Sequence, residues 1–292
     1  MTAPLEAFFL AADADHGGDR GQQRFCLLHA PRHAAQEASP NALIVYVHPF
    51  AEEMNKTRRM AALQARAFAE AGCAVLQIDL LGCGDSSGDF GDAGWDDWVQ
   101  DVVQAVRWLR ARYPQAPDAP LWLWGLRAGC LVANEAAARI DDKVNFLFWQ
   151  PAANGKALLQ QFLRLKAAGE MLEGKGKGVI EGLKQHLAAG ESVEIAGYLL
   201  SPKLANGLER ASLAPAANAR RMVWLETSTR DDAELSPASA APIARWQAAG
   251  VDVQSQVVPG PAFWQTSEIE EAPALIAAGV SALHSARQAS TA

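Results

Sequence analysis

An arginine occupies the turn Gly125-Leu126-Arg127-Ala128-Gly129, where an apolar run passes into a helical pattern. The glycines on both sides indicate a sharp strand-to-helix corner that leaves no room for side chains. The guanidinium of Arg127 stays protonated at any biological pH, so it cannot attack a carbonyl group. At the N-terminus of a helix it can instead hold a carboxylate or phosphate of a ligand in a bidentate fork, or pair with a carboxylate of the protein.

A second group of reactive residues, His48-Pro49-Phe50 followed by Glu52 and Glu53, comes after the first buried apolar run. Either glutamate can act as a general base on water, with His48 as a proton carrier and Arg127 stabilising a developing oxyanion. In the simpler interpretation, the glutamates only neutralise the arginine and the histidine caps a strand end. An unpaired buried charge is costly, so both interpretations predict a carboxylate beside Arg127.

Asp231, which follows a later strand ending at Glu226, is the third candidate partner for Arg127, and it or Asp232 is the candidate catalytic acid. An internal ion pair and a bound anionic ligand are both compatible with the sequence, provided that a ligand can displace one carboxylate. The predicted ligand contacts are Phe50, Leu126, Arg127, Phe263 and Trp264.

Apolar runs of strand length alternate with amphipathic stretches of helix length, a rhythm that predicts a mostly parallel sheet covered by helices on both faces. Two antiparallel edge strands are expected near Phe8 and Phe25. The predicted parallel strands are Leu43–Val47, Ala74–Ile78, Leu121–Trp124, Val144–Trp149, Met222–Glu226 and Val251–Val258. The predicted helices between them are Lys56–Ala71, Trp95–Tyr113, Ala128–Ile140 and a helix around Ala240–Ala249.

The segment 154–213 departs from this rhythm, with two or three helical patterns, no convincing strand and a flexible basic stretch at 174–178. We expect a helical cap or lid over the carboxyl edge of the sheet, where open α/β sheets bind ligands. A helical decoration that contributes only to stability is the alternative. The whole chain, 1–292, is otherwise expected to be a single domain.

Composition excludes several other function classes. Lys and Arg total 26 against 33 Asp and Glu, a net charge of −7 with no basic block, which argues against nucleic acid as a partner. We find neither an apolar run long enough to span a membrane nor a secretory signal. The four cysteines are far apart, so the sequence predicts no disulfide framework, no metal site and a cytoplasmic location. Motifs for a nucleotide or other cofactor are also lacking, so none is expected.

Three motifs in order resemble the α/β-hydrolase superfamily: the region of His48, the loop Asp79–Gly88 and the corner Gly125–Gly129. In that superfamily the corner is the nucleophile elbow, Gly-x-Ser-x-Gly, and the first region shapes the oxyanion hole. Here the nucleophile position is Arg127, and the loop Pro259–Trp264, where the catalytic histidine belongs, contains no histidine. Serine-histidine-aspartate hydrolysis is therefore excluded on chemical grounds.

The same departures resemble a narrower group, the second type of exosortase-A-associated hydrolase found near bacterial exopolysaccharide loci. This likeness rests on the stretches 48–56, 125–129 and 260–266. It implies a hydrolase-like protein for an ester- or acyl-type substrate, acting by a route without serine. The competing hypothesis is a non-catalytic binding or scaffold protein that holds an anionic acyl or glycan ligand at Arg127. The oligomeric state does not follow from the sequence.

Overall fold

The computed structural model describes residues 5–12, 21–32, 39–172 and 178–291. In the last two of these ranges, side chains are described for residues 39–169 and 178–284. Its strands are β1 (Leu5–Ala11), β2 (Gln23–His29), β3 (Leu43–Val47), β4 (Ala74–Ile78), β5 (Leu121–Leu126), β6 (Val144–Trp149), β7 (Val193–Ile195), β8 (Tyr198–Leu200), β9 (Ala219–Ser228) and β10 (Asp252–Pro259). The helices are α1 (Glu52–Glu70), α2 (Trp95–Arg112), α3 (Ala128–Ala137), α4 (Gly155–Leu172), α5 (Val179–Ala188), α6 (Pro202–Arg210), α7 (Pro237–Ala248) and α8 (Pro273–Thr291).

Eight strands form one sheet in the order β1-β2-β4-β3-β5-β6-β9-β10. The pairs β1–β2 and β2–β4 are antiparallel. The other six strands of this sheet, β4, β3, β5, β6, β9 and β10, are parallel to one another. Strands β3 and β5 are buried at every residue, because helices cover both faces of the sheet and continuous apolar runs suit such strands. The predicted fold class is confirmed.

The core consists of two apolar layers, one on each face of the sheet. One layer contains Trp98 of α2, Leu131 of α3 and Trp246 of α7. The other contains Phe68 of α1 and Leu275 of α8, packed on the opposite face. The α1 and α3 helices therefore lie on opposite sides of the sheet, and both begin at its carboxyl edge.

Helix α1 begins at Glu52, four residues earlier than the amphipathic pattern predicts. Glu52 and Glu53 occupy the first turn, where carboxylates are stabilised by the positive end of the helix dipole. The preceding Ala51 has φ 50° and ψ −129°, a strained conformation for a residue with a Cβ. The chain therefore turns sharply from β3 into the helix, which brings both glutamates to the edge of the sheet.

The segment 154–213 lies between β6 and β9 and contains α4, α5 and α6, as its helical patterns predict. The expectation that it has no strand is wrong, because β7 and β8 form an antiparallel hairpin. Ala196 and Gly197 connect them with φ values of 50° and 83°, and positive φ at both central residues is typical of a type I′ turn. The stretch predicted to be flexible at 174–178 lies outside the described residues except for Gly178.

The 154–213 segment docks on the body through a close contact of α6 with α2. A Cβ built at Gly207 would lie 2.0 Å from the Cβ of Trp95, so the helices approach too closely for any larger residue. A Cβ at Gly182 of α5 would meet no atom within 4 Å. The two glycines, both helical, form a matched pair for testing this contact.

We predict that Gly207→Ala lowers the free energy of unfolding by about 1–3 kcal/mol, because the added methyl overpacks the α6–α2 contact. Gly182→Ala should instead raise it by about 0.5–1 kcal/mol, since alanine favours the helix and nothing obstructs the methyl. Urea unfolding monitored by circular dichroism measures both values. Equal effects of the two substitutions would contradict the docking contact.

Candidate anion site at the β5–α3 corner

Arg127 lies at the corner between β5 and α3 with φ 55° and ψ −116°. Both flanking glycines are required by close backbone contacts at this corner. A Cβ at Gly129 would lie 2.2 Å from the carbonyl oxygen of Val47, and one at Gly125 would lie 2.7 Å from the Cα of Cys130. Arg127 therefore occupies a strained position of the kind that clusters at functional sites.

The guanidinium of Arg127 is held by three neighbours from three parts of the chain. Its Nε donates to Oε1 of Glu53 at 3.2 Å, and its Nη2 donates to Oε1 of Gln161 in α4, also at 3.2 Å. The ring of Trp264 lies 5.7 Å from its Cζ, within the range of a cation–π contact. The side chain is 12% exposed, so these contacts form in a largely desolvated place.

Glu53 is the carboxylate that neutralises Arg127, and one of its oxygens lacks a partner. Among the described residues nothing donates a hydrogen bond to its buried Oε2. Burial raises the pKa of Glu53, and the adjacent guanidinium partly opposes that shift. The sequence offered three possible partners for Arg127, and the fold selects this one.

Glu52 makes a different set of contacts and does not pair with Arg127. Its Oε2 accepts from the hydroxyl of Tyr198 in β8 at 2.9 Å and from Nδ2 of Asn55 at 3.2 Å. Burial and the contact with Glu52 raise the pKa of Tyr198. Gln161 and Tyr198 thus connect the 154–213 segment to the corner and to α1. Neither residue carries a motif or a spacing that marks it in the sequence.

His48 does not contact Arg127, Glu52 or Glu53 in the structure, and its ring makes hydrogen bonds to backbone, as the strand-cap interpretation predicts. Its Nδ1 lies 2.8 Å from the carbonyl oxygen of Pro49, and its Nε2 accepts the backbone N–H of Leu80 at 3.2 Å. Burial lowers the pKa of the imidazole, which is consistent with a neutral ring that donates at Nδ1 and accepts at Nε2. Both nitrogens are therefore committed to backbone, and His48 joins β3 to the loop after β4.

Asp231 is likewise not a partner of Arg127, since it is exposed and makes no hydrogen bond or ion pair with any described residue. The acid buried at that end of β9 is Glu226, which is 5% exposed. It accepts from Nε1 of Trp224 at 2.8 Å and from the backbone N–H of Ser236 at 2.9 Å, as well as from the hydroxyl of Ser239. Glu226 lies inside β9. An acidic residue that directly follows an apolar run is the sequence feature that could have identified it as the buried acid.

Four of the five predicted ligand contacts, Phe50, Leu126, Phe263 and Trp264, are buried core residues, and of these only Trp264 contacts Arg127. Phe50 is 4% exposed and packs edge-on against Phe90 and Phe162, the latter from α4. Leu126 and Phe263 are 1% and 0% exposed in the layer beneath α1 and α8. Phe50, Leu126 and Phe263 are therefore part of the packed core around the corner.

In the described part of the chain, the cysteines and histidines form neither an alternative catalytic site nor a metal site. Cys130 is fully buried, and burial raises the pKa of its thiol well above the ordinary value, so it is an inert core residue. The four histidines in the described ranges contact acceptors or donors other than serine hydroxyls. No three His, Cys, Asp or Glu side chains in those ranges converge as a metal ion would require.

Solved structures with a similar arrangement of strands and helices are numerous. Est1E from Butyrivibrio proteoclasticus, solved with ferulic acid bound, superposes with a TM-score of 0.61 at 16% identity, over 95% of this chain and 96% of that one. A thermostable carboxyl esterase from Bacillus coagulans, solved with glycerol, gives 0.58 at 15% identity over 89% and 91%. A serine hydrolase without a lid from Xanthomonas campestris gives 0.53 at 16% identity over 99% and 97%. The chain has the α/β-hydrolase fold.

Sequence comparison supports the same conclusion over part of the chain. The family model described as serine aminopeptidase, S33, matches residues 38–174, a little under half of the chain. No sequence among the curated proteins matches. None of the helices in the described ranges combines the length and apolar character needed to cross a bilayer. In this α/β-hydrolase fold, the residue at the β5–α3 corner is an arginine paired with a carboxylate.

We predict that Arg127→Met lowers the free energy of unfolding at neutral pH by about 1–3 kcal/mol, because Glu53 is left buried without its partner. The substitution raises the pKa of Glu53 further above its ordinary value of about 4.3. A carboxyl with a raised folded-state pKa contributes stability at low pH that is lost as the pH rises through that pKa. The deficit should therefore be larger near neutral pH than at about pH 4.

Urea unfolding of the wild type and Arg127→Met at both pH values measures this difference. The double variant Arg127→Met/Glu53→Gln is the control, because its neutral amide removes the titrating group and should make the deficit independent of pH in this range. A deficit in Arg127→Met that is equal at both pH values would contradict the coupling of the two residues.

Proposed function

We propose that the chain binds a small anionic molecule at Arg127 and does not hydrolyse esters with a serine-histidine pair. The observation that carries this proposal is a guanidinium at the corner position with its Nη edge directed towards α4. Nε is committed to Glu53, whereas Nη2 contacts only the side chain of exposed Gln161 among the described residues. The Nη edge is thus available to a ligand carboxylate or phosphate in a bidentate arrangement.

The charges around the corner favour an anion. Helices α1 and α3 both begin here, and each N-terminus contributes a partial positive charge in addition to the full charge of Arg127. Glu53 is the only carboxylate paired with the guanidinium in the described part of the chain, and the charge of nearby Lys56 also acts on it. Glu52 in the same turn contacts only the neutral Tyr198 and Asn55, so two carboxylates face Arg127, Lys56 and two helix N-termini, and we infer a small positive surplus that a ligand anion can neutralise.

Two further contacts suggest what else the ligand carries. The amide oxygen of Gln161 occupies a position on Nη2 that a ligand oxygen would take. The buried Oε2 of Glu53 needs a donor, which a hydroxyl group next to the ligand's carboxylate could supply. A hydroxylated acid such as a sugar acid meets both requirements. This class also fits the acyl or glycan ligand expected from the exosortase-associated resemblance. On that resemblance we propose that the protein acts in exopolysaccharide production.

We further propose that the 154–213 segment acts as a lid over this site. Gln161 contacts Arg127, Tyr198 contacts Glu52, and Phe162 packs against Phe50, so three side chains of the segment close over the corner. A cytoplasmic location remains part of the proposal, and the buried thiols of Cys26, Cys83 and Cys130 support it because thiols persist in a reducing compartment.

We predict that glucuronate raises the thermal midpoint of the wild type more than acetate does, and that glucose has no effect. A ligand at 100 times its dissociation constant stabilises the folded state by about 2.7 kcal/mol, an easily measured shift in scanning fluorimetry. Arg127→Met should abolish the shift, and Arg127→Lys should retain little of it, because lysine lacks the planar fork. Stabilisation of Arg127→Met equal to that of the wild type would refute an anion site at this residue.

Gln161 provides a second test of the same site. Removing the competing amide with Gln161→Ala should tighten glucuronate binding by about three- to tenfold, the equivalent of one hydrogen bond. The adjacent Gln160→Ala is the matched control and should leave the affinity unchanged. Isothermal titration calorimetry at one salt concentration measures both, and weaker binding by Gln161→Ala would show that the amide belongs to the ligand site instead.

The second candidate function is ester hydrolysis with Glu53 as the base on water. Its buried oxygen without a donor and its raised pKa favour this possibility, because both are properties of a general base. Arg127 would stabilise the developing oxyanion, whereas His48 has no free nitrogen for proton transfer.

We predict that any turnover of p-nitrophenyl esters is lost in Glu53→Gln and that a fluorophosphonate probe does not label the chain. A panel of acyl chain lengths followed by absorbance, with Glu52→Gln as the matched control, measures this. Turnover that survives Glu53→Gln would rule out the carboxylate route, and stoichiometric labelling would restore a serine mechanism.

A further inference from the structure

The α1 side of β1 and β2 is only partly covered in the described structure. Even-numbered side chains of these strands, such as that of Cys26, pack in the layer that contains α2. Successive side chains of a strand alternate between the two faces of the sheet, so the odd-numbered ones lie on the α1 side. Cross-strand pairing there places Phe9 beside Phe25 and Ala7 beside Leu27. β1 is the edge strand of the sheet, four strands away from β5 and the anion site.

Large apolar side chains are exposed on this surface, which we call the β1–β2 face. Leu5 and Phe9 are each 55% exposed, and Ala7 between them is exposed as well. Phe25 and Leu27 complete the face from β2 and are partly exposed. Among the large apolar side chains exposed to this degree in the described ranges, only Leu5 and Phe9 share one element. Exposed apolar side chains that cluster on one surface mark an interaction site.

Helix α1 forms a wall along the β1–β2 face. Arg58 and Ala62 line a small cavity together with the β2 side chains of the face. Burial and the nearby charge of Arg66 lower the pKa of His29 at the end of β2, so Arg66 lies further along the same wall. Positions 58, 62 and 66 are four residues apart and therefore share one side of the helix. A helix packed on a sheet stands above it by about its own diameter, roughly 10 Å, which makes the face the floor of a groove.

The end of this wall near Arg66 is basic. Arg66 is exposed, and so is Arg32, whose backbone N–H bonds to the carbonyl oxygen of Ala69 in the last turn of α1. No described carboxylate forms an ion pair with either guanidinium. At the other end of the wall, Arg58 is already paired with Asp79. An acidic group of a partner is thus complementary to Arg32 and Arg66, whereas a basic group would be repelled.

The dimensions of the β1–β2 face fit a single helix. The seven residues of β1 span about 24 Å, which is the length of a helix of about 16 residues. Two neighbouring strands, about 4.8 Å apart, present roughly the width that one helix covers. Helices cover the sheet faces in this architecture, so a helix beside α1 would complete the layer. A flat bilayer would instead meet the crest of α1 before it reached the floor of the groove.

We propose that the β1–β2 face binds an acidic amphipathic helix of another protein, with the apolar side of that helix on Leu5 and Phe9 and its carboxylates beside Arg32 and Arg66. The apolar floor supplies the buried contact, and the two arginines select an acidic helix over a basic one.

The probe is a synthetic peptide of sixteen residues with leucines on one helical face and glutamates on the other. Fluorescence anisotropy of a dye on the peptide measures its binding to the full chain. We expect the peptide to bind at micromolar concentration, and Phe9→Ser to weaken binding about tenfold because an apolar contact is lost. Leu5→Ser is a second variant with the same expected direction. Ile269→Ser changes a comparably exposed side chain on another surface and should have no effect.

The charge preference is tested with a second peptide that has lysine in place of every glutamate. The wild type should bind the lysine peptide at least tenfold more weakly, and Arg66→Glu should reverse this preference. Arg220→Glu makes the same change of charge at an exposed position in β9 and should leave the preference as it is. Circular dichroism verifies that each variant is folded.

Several results would overturn the proposal. They are no binding of the glutamate peptide by the wild type at millimolar concentration, equal affinity for the two peptides, and unchanged affinity in folded Phe9→Ser. Sedimentation equilibrium tests for a dimer that Phe9→Ser dissociates, which would assign the face to a second copy of the chain. Flotation with phosphatidylglycerol vesicles tests for binding that Phe9→Ser abolishes, which would assign it to a membrane.

Discussion

The ion pair between Arg127 and Glu53 is the constraint on which the candidate site depends. A guanidinium that is only 12% exposed needs an opposite charge nearby. Its position at the N-terminus of α3 raises the electrostatic cost further, because the helix dipole repels a cation there. Glu53 resolves both problems, since it faces the cation from the first turn of α1, where a carboxylate is itself favoured. Only Oε1 of Glu53 bonds to the guanidinium, and its Oε2 is buried without a hydrogen-bond partner among the described residues.

Backbone strain brings these two side chains together. Ala51 and Arg127 have φ values of 50° and 55°, and each lies between the end of a parallel strand and the start of a helix. Gln150, with φ 41°, follows β6 at the same edge. Non-glycine residues at positive φ cost energy, which the tight packing of the surrounding strands and helices must supply. All three positions lie at the carboxyl edge of the sheet, where α1 and α3 begin.

The charged groups near the carboxyl edge of the sheet are arranged in pairs. At the corner, Arg127 pairs with Glu53, and Gln161 of the 154–213 segment adds a third contact. On the α1 side of the sheet, Arg58 pairs with Asp79. The hydrogen bonds of His48 to the backbone keep β3 and the loop after β4 together.

The sequence by itself determined the layered α/β fold, the corner at Arg127 and the identity of the two glutamates, because apolar runs, helical spacing and paired glycines are local signals. It also excluded a hydroxyl nucleophile at the corner, since that follows from residue type alone. Only the tertiary structure decided that Glu53 pairs with Arg127 while Glu52 pairs with Tyr198, that Asp231 is exposed, and that Glu226 is the buried acid. These outcomes depend on contacts between residues distant in the chain, such as Arg127 and Gln161, whose spacing carries no periodic signal. The hairpin β7–β8 was missed for a related reason, because strands of three residues are too short for a pattern and are held by the turn between them.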